Sequence, residues 1–167
     1  MNLAVIGAGL LGSRHLQGLS KLSQNFALHI VDPSKPSVAE ARKRIGEINS
    51  KRARDAFIHN SPETLPDSIQ LAIIATTAYI RLSALKALCS SSSVRFLILE
   101  KVLFQKPSHF AEAENLLDSN SIKCWVNCVR RAYPDYIDLQ DYFSTDPITF
   151  CMWLVVIGGW GAMPFIF

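Results

Sequence analysis

The sequence predicts a doubly wound α/β fold, in which helices cover both faces of a parallel β-sheet. Strand-like apolar runs alternate with helical patterns over residues 1–128, and this alternation is typical of repeated βα units. The run Leu-Ala-Ile-Ile-Ala at residues 71–75 is apolar throughout, as expected of a strand that is buried on both faces. A glycine-rich turn between the first strand and the first helix is the third indication.

The predicted elements follow one another closely along the chain. We expect strands at residues 3–6, 28–31, 56–59, 71–75, 96–99 and 123–127, and helices at residues 10–24, 37–49, 80–89 and 108–118. Ser37 precedes Glu40 by three residues, which is the spacing of a capping box at a helix start, and Pro107 opens the last helix. The serine run at residues 90–93 is predicted to be a polar loop.

The first strand runs into a G-x-G-x-x-G turn formed by Gly7, Gly9 and Gly12. In such a turn the first glycine permits a tight bend, the second lets the backbone approach a pyrophosphate, and the third lets the helix pack against the sheet. The N–H groups at the helix start would then face the phosphates. The pattern predicts a dinucleotide site; the alternative is a glycine-rich turn without a ligand.

An acidic residue follows the second predicted strand. Asp32 ends the run Phe-Ala-Leu-His-Ile-Val-Asp at residues 26–32. It lies about twenty residues beyond the last glycine of the turn. At this spacing a carboxylate can accept hydrogen bonds from the ribose hydroxyls of a dinucleotide. This spacing favours a dinucleotide. S-adenosylmethionine-dependent methyltransferases share a glycine-rich first turn and an acid after the second strand, and they are an alternative.

Composition and charge narrow the function classes. The net charge of +3 is spread along the chain. Its densest basic run, residues 42–54, contains no aromatic side chain, so we expect a solvated helix face and no nucleic-acid binding. The start of the chain lacks the pattern of a signal peptide, and the histidines lack metal-ligand spacing. The absence of a C-x-x-C pair predicts buried or free thiols in a reducing, cytoplasmic compartment. The cysteines are Cys89, Cys124, Cys128 and Cys151.

The sequence pattern changes after residue 128. We expect residues 1–128 to form the dinucleotide-binding domain, residues 129–146 a connecting loop and helix, and residues 147–167 a truncated stub of a second, largely missing α+β domain. Residues 148–167 carry no charge, and a membrane-spanning helix of that length is an alternative. Three glycines, a proline and the lack of basic flanking residues favour a β-strand and turn instead. The exposed apolar stub would favour self-association.

Four segments together are more specific than the glycine turn alone. They are Gly-Ala-Gly-Leu-Leu-Gly-Ser-Arg-His at residues 7–15, Ile-Ala-Thr-Thr at residues 74–77, Leu-Glu-Lys at residues 99–101, and Trp-Val-Asn-Cys-Val-Arg-Arg at residues 125–131 with Pro134. In these segments, and over residues 1–147, the chain resembles the N-terminal part of the Gfo/Idh/MocA oxidoreductases. The resemblance implies a Rossmann fold and NAD(P)-dependent hydride transfer on a sugar, inositol or related polyol.

The resemblance further implies that NAD is the cofactor in preference to NADP. Leu10 and Leu11 would supply backbone N–H groups to the pyrophosphate. Asp32 would bind the adenosine ribose, where its charge repels a 2′-phosphate, although Lys35 stands close enough to weaken that preference. The loop beside the nicotinamide ribose corresponds to Ala75, Thr76 and Thr77.

The resemblance also implies where the chemistry takes place. Glu100 and Lys101 match a Glu-Lys-Pro motif whose lysine contacts the cofactor and the substrate hydroxyl and assists proton transfer. Val102 replaces the proline, and a non-proline peptide costs about 3–4 kcal/mol in the cis form, so we expect a trans Lys101–Val102 peptide. Asn127 and Arg131 would line the crevice between the two domains and bind the cofactor; a solvated basic loop is the alternative.

The resemblance implies a second, substrate-binding domain, of which we expect only the stub at residues 147–167, and no histidine follows His109. The sequence therefore predicts little or no turnover of sugars, and a non-catalytic dinucleotide-binding or interaction protein is an alternative. A further hypothesis is that the residues after Trp160 are read out of frame in an inactivated oxidoreductase gene.

Overall fold

A computed structural model describes residues 1–129 and 133–138 of the chain. The strands are β1 Asn2–Ile6, β2 Ala27–Val31, β3 Phe57–His59, β4 Ser68–Ile74, β5 Ser93–Leu99 and β6 Lys123–Val126. The helices are α1 Leu10–Leu19, α2 Lys35–Gly46, α3 Ser50–Asp55, α4 Arg81–Ser91 and α5 Pro107–Ser119, with a 3-10 turn at Pro62–Thr64. The strands form one six-stranded sheet in the order β3-β2-β1-β4-β5-β6, and every neighbouring pair is parallel.

Alternate side chains of the central strands pack into two apolar layers, one on each face of the sheet. Ala4 and Ile6 of β1 belong to the layer that includes side chains of α4 and α5, whereas Val5 belongs to the layer that includes side chains of α1 and α2. Burying a Val, Leu or Ile side chain stabilises a protein by about 1.5–3 kcal/mol, so both faces of such a strand must be covered. The predicted doubly wound parallel sheet is confirmed.

Helix α1 ends at Leu19 and not at residue 24, as the sequence predicted. The guanidinium of Arg52 donates hydrogen bonds to the carbonyls of Leu19, Leu22 and Gln24 at 3.2, 3.1 and 3.1 Å. It also lies 4.0 Å from the centroid of the Phe26 ring. Contacts from α3, a helix that the sequence pattern did not predict, therefore fix this segment outside the helix.

Helix α2 begins at Lys35, before the predicted start, and its N-cap is Ser34. The Ser34 hydroxyl accepts a hydrogen bond from the Ser37 N–H at 3.4 Å. Pro36 lies inside the first turn, where its fixed φ suits the helix and its missing N–H is not needed. The predicted capping box, which made Ser37 the cap, is therefore wrong.

The serine run at residues 90–93 is not a loop, contrary to the prediction. Ser90 and Ser91 complete α4, and Ser93 begins β5. Between them, the buried Ser92 donates its hydroxyl to the Pro66 carbonyl at 2.8 Å. Because the hydroxyl has a partner inside the protein, the run does not need to be solvated.

The basic run at residues 42–54 is only partly solvated, which corrects the expectation of a solvated face. Arg42 donates to the Ala56 carbonyl at 3.2 Å, and Arg44 donates to the Leu10 carbonyl at 3.3 Å. Together with Arg52, these guanidinium groups join α2 and α3 to neighbouring segments. A guanidinium carries several N–H donors in one rigid plane, so a single arginine can donate hydrogen bonds to several carbonyls. The ammonium group of lysine lacks this planar arrangement.

Residues Met1–Asn127 form one compact unit, and a second begins at Cys128. Within the second, residues 134–138 are helical. The predictions made for Arg131, Cys151 and residues 147–167, including the stub, the membrane-helix alternative and the reading-frame hypothesis, lie outside the described residues. Within residues 1–129 and 133–138, no helix combines the length and the apolar character needed to cross a membrane.

The described cysteines are free thiols, as predicted. They are Cys89, Cys124 and Cys128. Burial raises the pKa of the Cys89 thiol, and it raises the pKa of Cys124 to about 11. Thiols with raised pKa values are protonated at neutral pH and react slowly.

Two histidines contact each other on β2 and β3. Nδ1 of His29 lies 2.9 Å from Nε2 of His59, and Nδ1 of His59 lies 2.9 Å from the Thr64 hydroxyl. The Phe57 ring stacks on His29, which is 4% exposed. Burial lowers the pKa of both histidines; His59 lowers that of His29 further, and a hydrogen bond with Thr64 opposes the shift at His59. The short contact requires that one of the facing nitrogens be unprotonated.

We expect the free energy of unfolding to decrease as the pH is lowered through about 6.5. Histidines in the unfolded chain take up protons near that pH, whereas His29 and His59 resist protonation in the folded protein. The unfolded state therefore binds more protons in this range and is favoured by acid. Urea denaturation between about pH 7.5 and 5.5 measures the slope, well above the range in which ordinary carboxylates titrate.

The variant His59→Gln tests whether this pair causes the acid sensitivity. Its amide can still contact His29 but does not titrate, so the slope should be shallower. At about pH 7.5 the stability should stay within about 1 kcal/mol of the wild type. Identical slopes in the two proteins would contradict the assignment.

Candidate functional site

Five predicted site residues lie in a row along the carboxyl edge of the sheet. They are the first residues after their strands, namely Gly7, Asp32, Ala75, Glu100 and Asn127. Each donates its backbone N–H to the carbonyl of the last residue of an adjacent strand, at 2.8–3.1 Å. The hydrogen-bond ladder therefore extends one residue beyond the strands and fixes the spacing of these five residues.

The three glycines of the turn have different surroundings. Gly7 has a φ of +91°, and a Cβ there would lie 2.9 Å from the backbone nitrogen of Thr76. A Cβ on Gly12 would lie 1.7 Å from the carbonyl oxygen of Gly7. A Cβ on Gly9 would meet nothing within 4 Å. The fold therefore requires glycine at the first and third positions, while the second faces open space.

Helix α1 begins at this open space. No side chain caps it, and its first turn contains no acidic residue. The N–H groups of Leu10, Leu11 and Gly12 lie in the first turn, where a helix offers them no carbonyl partner. Free N–H groups and the helix dipole attract an anion to such a terminus.

A cleft of about 320 Å³ lies between the glycine turn and α2. Gly9 and Ser13 line one side, and Glu40 and Arg44 line the other. The Arg44 guanidinium contacts the Glu40 carboxylate at 2.9 Å and the Ser13 hydroxyl at 2.5 Å. The positive charge on this wall is therefore already balanced by a neighbouring carboxylate.

Asp32 is oriented by two backbone N–H groups. One carboxylate oxygen accepts from Ala8 at 2.7 Å, and the other accepts from Ser34 at 2.8 Å. The side chain is half-buried against the glycine turn. Because an ionised carboxylate accepts about four hydrogen bonds, Asp32 retains acceptor capacity for a ligand.

The loop after β4 packs against the glycine turn. Ala75 donates its N–H to the Ile6 carbonyl, and the backbone of Thr76 closes the space beside Gly7. The Thr77 carbonyl accepts from the N–H of Ile80 at 3.3 Å, just before α4. The structure thus places the predicted residues Ala75 and Thr76 directly beside the turn, and Thr77 between them and α4.

The Glu100 carboxylate joins three elements beneath the edge of the sheet. One oxygen lies 2.6 Å from Nε2 of His15 on α1 and accepts from the side-chain amide of Asn127 at 2.5 Å. The other oxygen accepts from the Lys101 N–H at 3.2 Å. Burial acts to raise the pKa of Glu100, but the hydrogen bonds with Asn127, His15 and Lys101 and the charge of His15 outweigh it, so the pKa is lowered.

These contacts leave Glu100 only 3% exposed. The carboxylate is ionised and directed into the protein, so we expect it to fix the backbone beside Lys101. His15 was part of a recognised segment but had no predicted role. Its contact with Glu100 spans 85 residues of sequence and has no local signal.

Lys101 is exposed at the same edge, next to the exposed Val102. The Lys101–Val102 peptide is cis, so the expectation of a trans peptide was wrong. That expectation considered only the local cost of the bond. The carbonyls of Val102 and Leu103 both accept hydrogen bonds from Arg81, and these tertiary contacts lie outside a local argument.

Arg81 is the second residue near the site to which sequence reasoning gave no role. It is buried, and besides Val102 and Leu103 it binds the Thr76 carbonyl. A signal was present, since Arg81 stands four and seven residues before Leu85 and Leu88, on the buried face of α4. A charge within an apolar helical stripe indicates a buried partner.

By sequence, the chain matches no known family model and no curated protein. By structure, it is similar to scyllo-inositol dehydrogenase from Lactobacillus casei with bound NAD(H) and scyllo-inositol, with a TM-score of 0.70 and 14% identity over 89% of this chain and 42% of that one. The WlbA dehydrogenase from Chromobacterium violaceum, in complex with NADH and UDP-GlcNAcA, has a TM-score of 0.70 and 17% identity over 87% and 40%. A probable dehydrogenase from Thermotoga maritima has a TM-score of 0.70 and 14% identity over 89% and 42%.

The chain spans about two fifths of the length of these structures. They are oxidoreductases of the Gfo/Idh/MocA type, the family that the sequence motifs resemble. The predicted fold is confirmed: the described residues have the Rossmann-type fold of the N-terminal part of these oxidoreductases.

Proposed function

We propose that this chain binds NAD(H) along the carboxyl edge of its sheet. The observation that carries the proposal is the open space over Gly9 at the uncapped start of α1. A pyrophosphate in this space would accept hydrogen bonds from the N–H groups of Leu10 and Leu11. The NAD(H) and NADH bound to two similar structures support this assignment.

The charges beside the glycine turn favour NAD(H) over NADP(H). Asp32 presents a carboxylate where an adenosine ribose would lie, and this charge repels a 2′-phosphate. The cation nearest the turn on α2, Arg44, is paired with Glu40. Lys35, the other cation near Asp32 in the sequence, is exposed at the start of α2.

We propose that the whole protein uses NAD(H) in an oxidoreductase reaction on a sugar or polyol. The bound cofactor would supply or accept the hydride. Lys101 would hold or release a proton at the substrate oxygen, with its backbone fixed by Glu100 and Asn127, and Arg131 would help to bind the cofactor. The scyllo-inositol and UDP-GlcNAcA bound to similar structures support this class of substrate.

We expect the chain to bind NADH at least about tenfold more tightly than NADPH, a difference of about 1.4 kcal/mol. In Asp32→Ala, binding of NADH should weaken by about tenfold or more, because a charge-assisted hydrogen bond is lost. NADPH binding should weaken less, since repulsion of its 2′-phosphate is removed. Isothermal titration calorimetry with both cofactors measures these affinities.

The matched control is Asp118→Ala, which removes an exposed carboxylate from the last turn of α5. It should leave both affinities unchanged. NADPH binding equal to or tighter than NADH binding in the wild type would refute the cofactor assignment. Binding of S-adenosylmethionine in place of both dinucleotides would favour the methyltransferase alternative.

We also expect Gly9 to be required for binding but not for stability. Gly9→Val adds a side chain in open space, so the free energy of unfolding should change by less than about 1 kcal/mol. NADH binding should be abolished, because the side chain fills the pyrophosphate position. Gly12→Ala should instead cost about 2 kcal/mol or more, because its Cβ meets the Gly7 carbonyl.

Urea denaturation and NADH titration of both variants measure the two effects separately. Normal NADH binding by a folded Gly9→Val protein would exclude a pyrophosphate over the turn. An unchanged stability of Gly12→Ala would contradict the close packing of α1 on the turn.

A further inference from the structure

Arg81 places a guanidinium inside the protein at the start of α4. The residue is 2% exposed. Its Nη1 donates to the carbonyls of Val102 and Leu103, the latter at 2.9 Å, and its Nη2 donates to the carbonyl of Thr76. Burial lowers the pKa of Arg81, while the negative charge of Glu100 raises it. A guanidinium stays protonated even so, and the buried carboxylate of Glu100 balances its charge.

The three carbonyls belong to two different loops. Thr76 follows β4, whereas Val102 and Leu103 follow β5 and come directly after Lys101. A guanidinium is planar, and its N–H groups point in fixed directions. Its simultaneous contact with both loops therefore fixes the distance between them, in addition to the ladder hydrogen bond from Glu100 to Ile74.

Both loops lie on one side of the point where the strand order reverses. The chain order changes direction between β1 and β4. In doubly wound folds a dinucleotide crosses this point, with one nucleoside over each half of the sheet. Asp32 and α1 follow strands of the β1–β3 half, whereas Arg81 binds carbonyls only in loops of the β4–β6 half.

We propose that Arg81 is a positioning residue for the nicotinamide half of the dinucleotide site. The proposal rests on the proposed NAD(H) function. Arg81 is buried beneath the loops, so it acts through them: it sets the separation of the Thr76 backbone from the backbone that carries Lys101. Its removal should therefore impair recognition of the second nucleoside and leave recognition of the adenosine and pyrophosphate intact.

The test compares NADH with ADP, which shares the adenosine and pyrophosphate but lacks the second nucleoside. Isothermal titration uses the full chain as wild type, Arg81→Met and Arg81→Lys. In Arg81→Met, NADH binding should weaken by about tenfold, within the range that indirect packing changes produce. ADP binding should change by less than about twofold. Arg81→Lys keeps the charge but not the planar geometry. In this variant NADH binding should again weaken more than ADP binding, but by a smaller factor.

The matched control is Arg52→Met. Arg52 also donates to three backbone carbonyls, but these lie at the end of α1 and before β2. Its loss should alter NADH and ADP binding equally or not at all. The proposal would be overturned if Arg52→Met weakened NADH binding more than ADP binding. It would also be overturned if Arg81→Met weakened the binding of both ligands equally.

Circular dichroism establishes whether Arg81→Met folds. If Arg81→Met does not fold, the comparison of NADH and ADP binding is made with Arg81→Lys. Amide hydrogen exchange without ligand gives a second readout: Arg81→Lys should exchange faster at residues 76–78 and 101–104 and unchanged at residues 7–12. Uniform acceleration would indicate a general structural role and overturn the proposal. Failure of the wild type to bind NADH would refute the proposed function, and the positioning role with it.

Discussion

The candidate site depends on the backbone hydrogen bonds that extend the parallel ladder past its strands. Gly7, Asp32, Ala75, Glu100 and Asn127 each donate to the end of an adjacent strand. Shifting a strand by one residue would exchange its two faces and bury the wrong side chains. The two apolar layers that fix the register of each strand therefore also fix which residue emerges at the edge. Core packing and site geometry are set by the same constraint.

Beneath this edge, two buried charges connect the loops. Glu100 joins α1 to the ends of β5 and β6 through His15 and Asn127, and Arg81 joins the loops after β4 and β5. Either charge alone would be costly to bury, but each is hydrogen-bonded and the two have opposite sign. The site is thus preorganised by polar contacts that do not themselves face the cleft.

Residues whose role is local could be predicted from the sequence. The apolar runs of β1 and β4 identify strands because both faces of the sheet are buried, and the spacing of Gly7 and Gly12 identifies a close helix–strand turn. Residues whose role depends on distant partners could not be predicted. Ser34 caps α2 because Pro36 takes a place inside the helix, and the contact of His15 with Glu100 forms only after β1 and β5 enter one sheet.

The fold accounts for some features of the edge and not for others, and this contrast supports a ligand site. Gly7 and Gly12 are required by backbone contacts, whereas Gly9 meets no neighbour that would exclude a side chain. A side-chain cap on α1 would stabilise the helix over glycine by roughly a few tenths of a kcal/mol, yet Gly9 provides none. A protein that needed only a stable turn would gain from Ser or Asp at this position. Departures from local stability tend to coincide with function, and here an anion placed over Gly9 would supply the missing partner for the helix terminus.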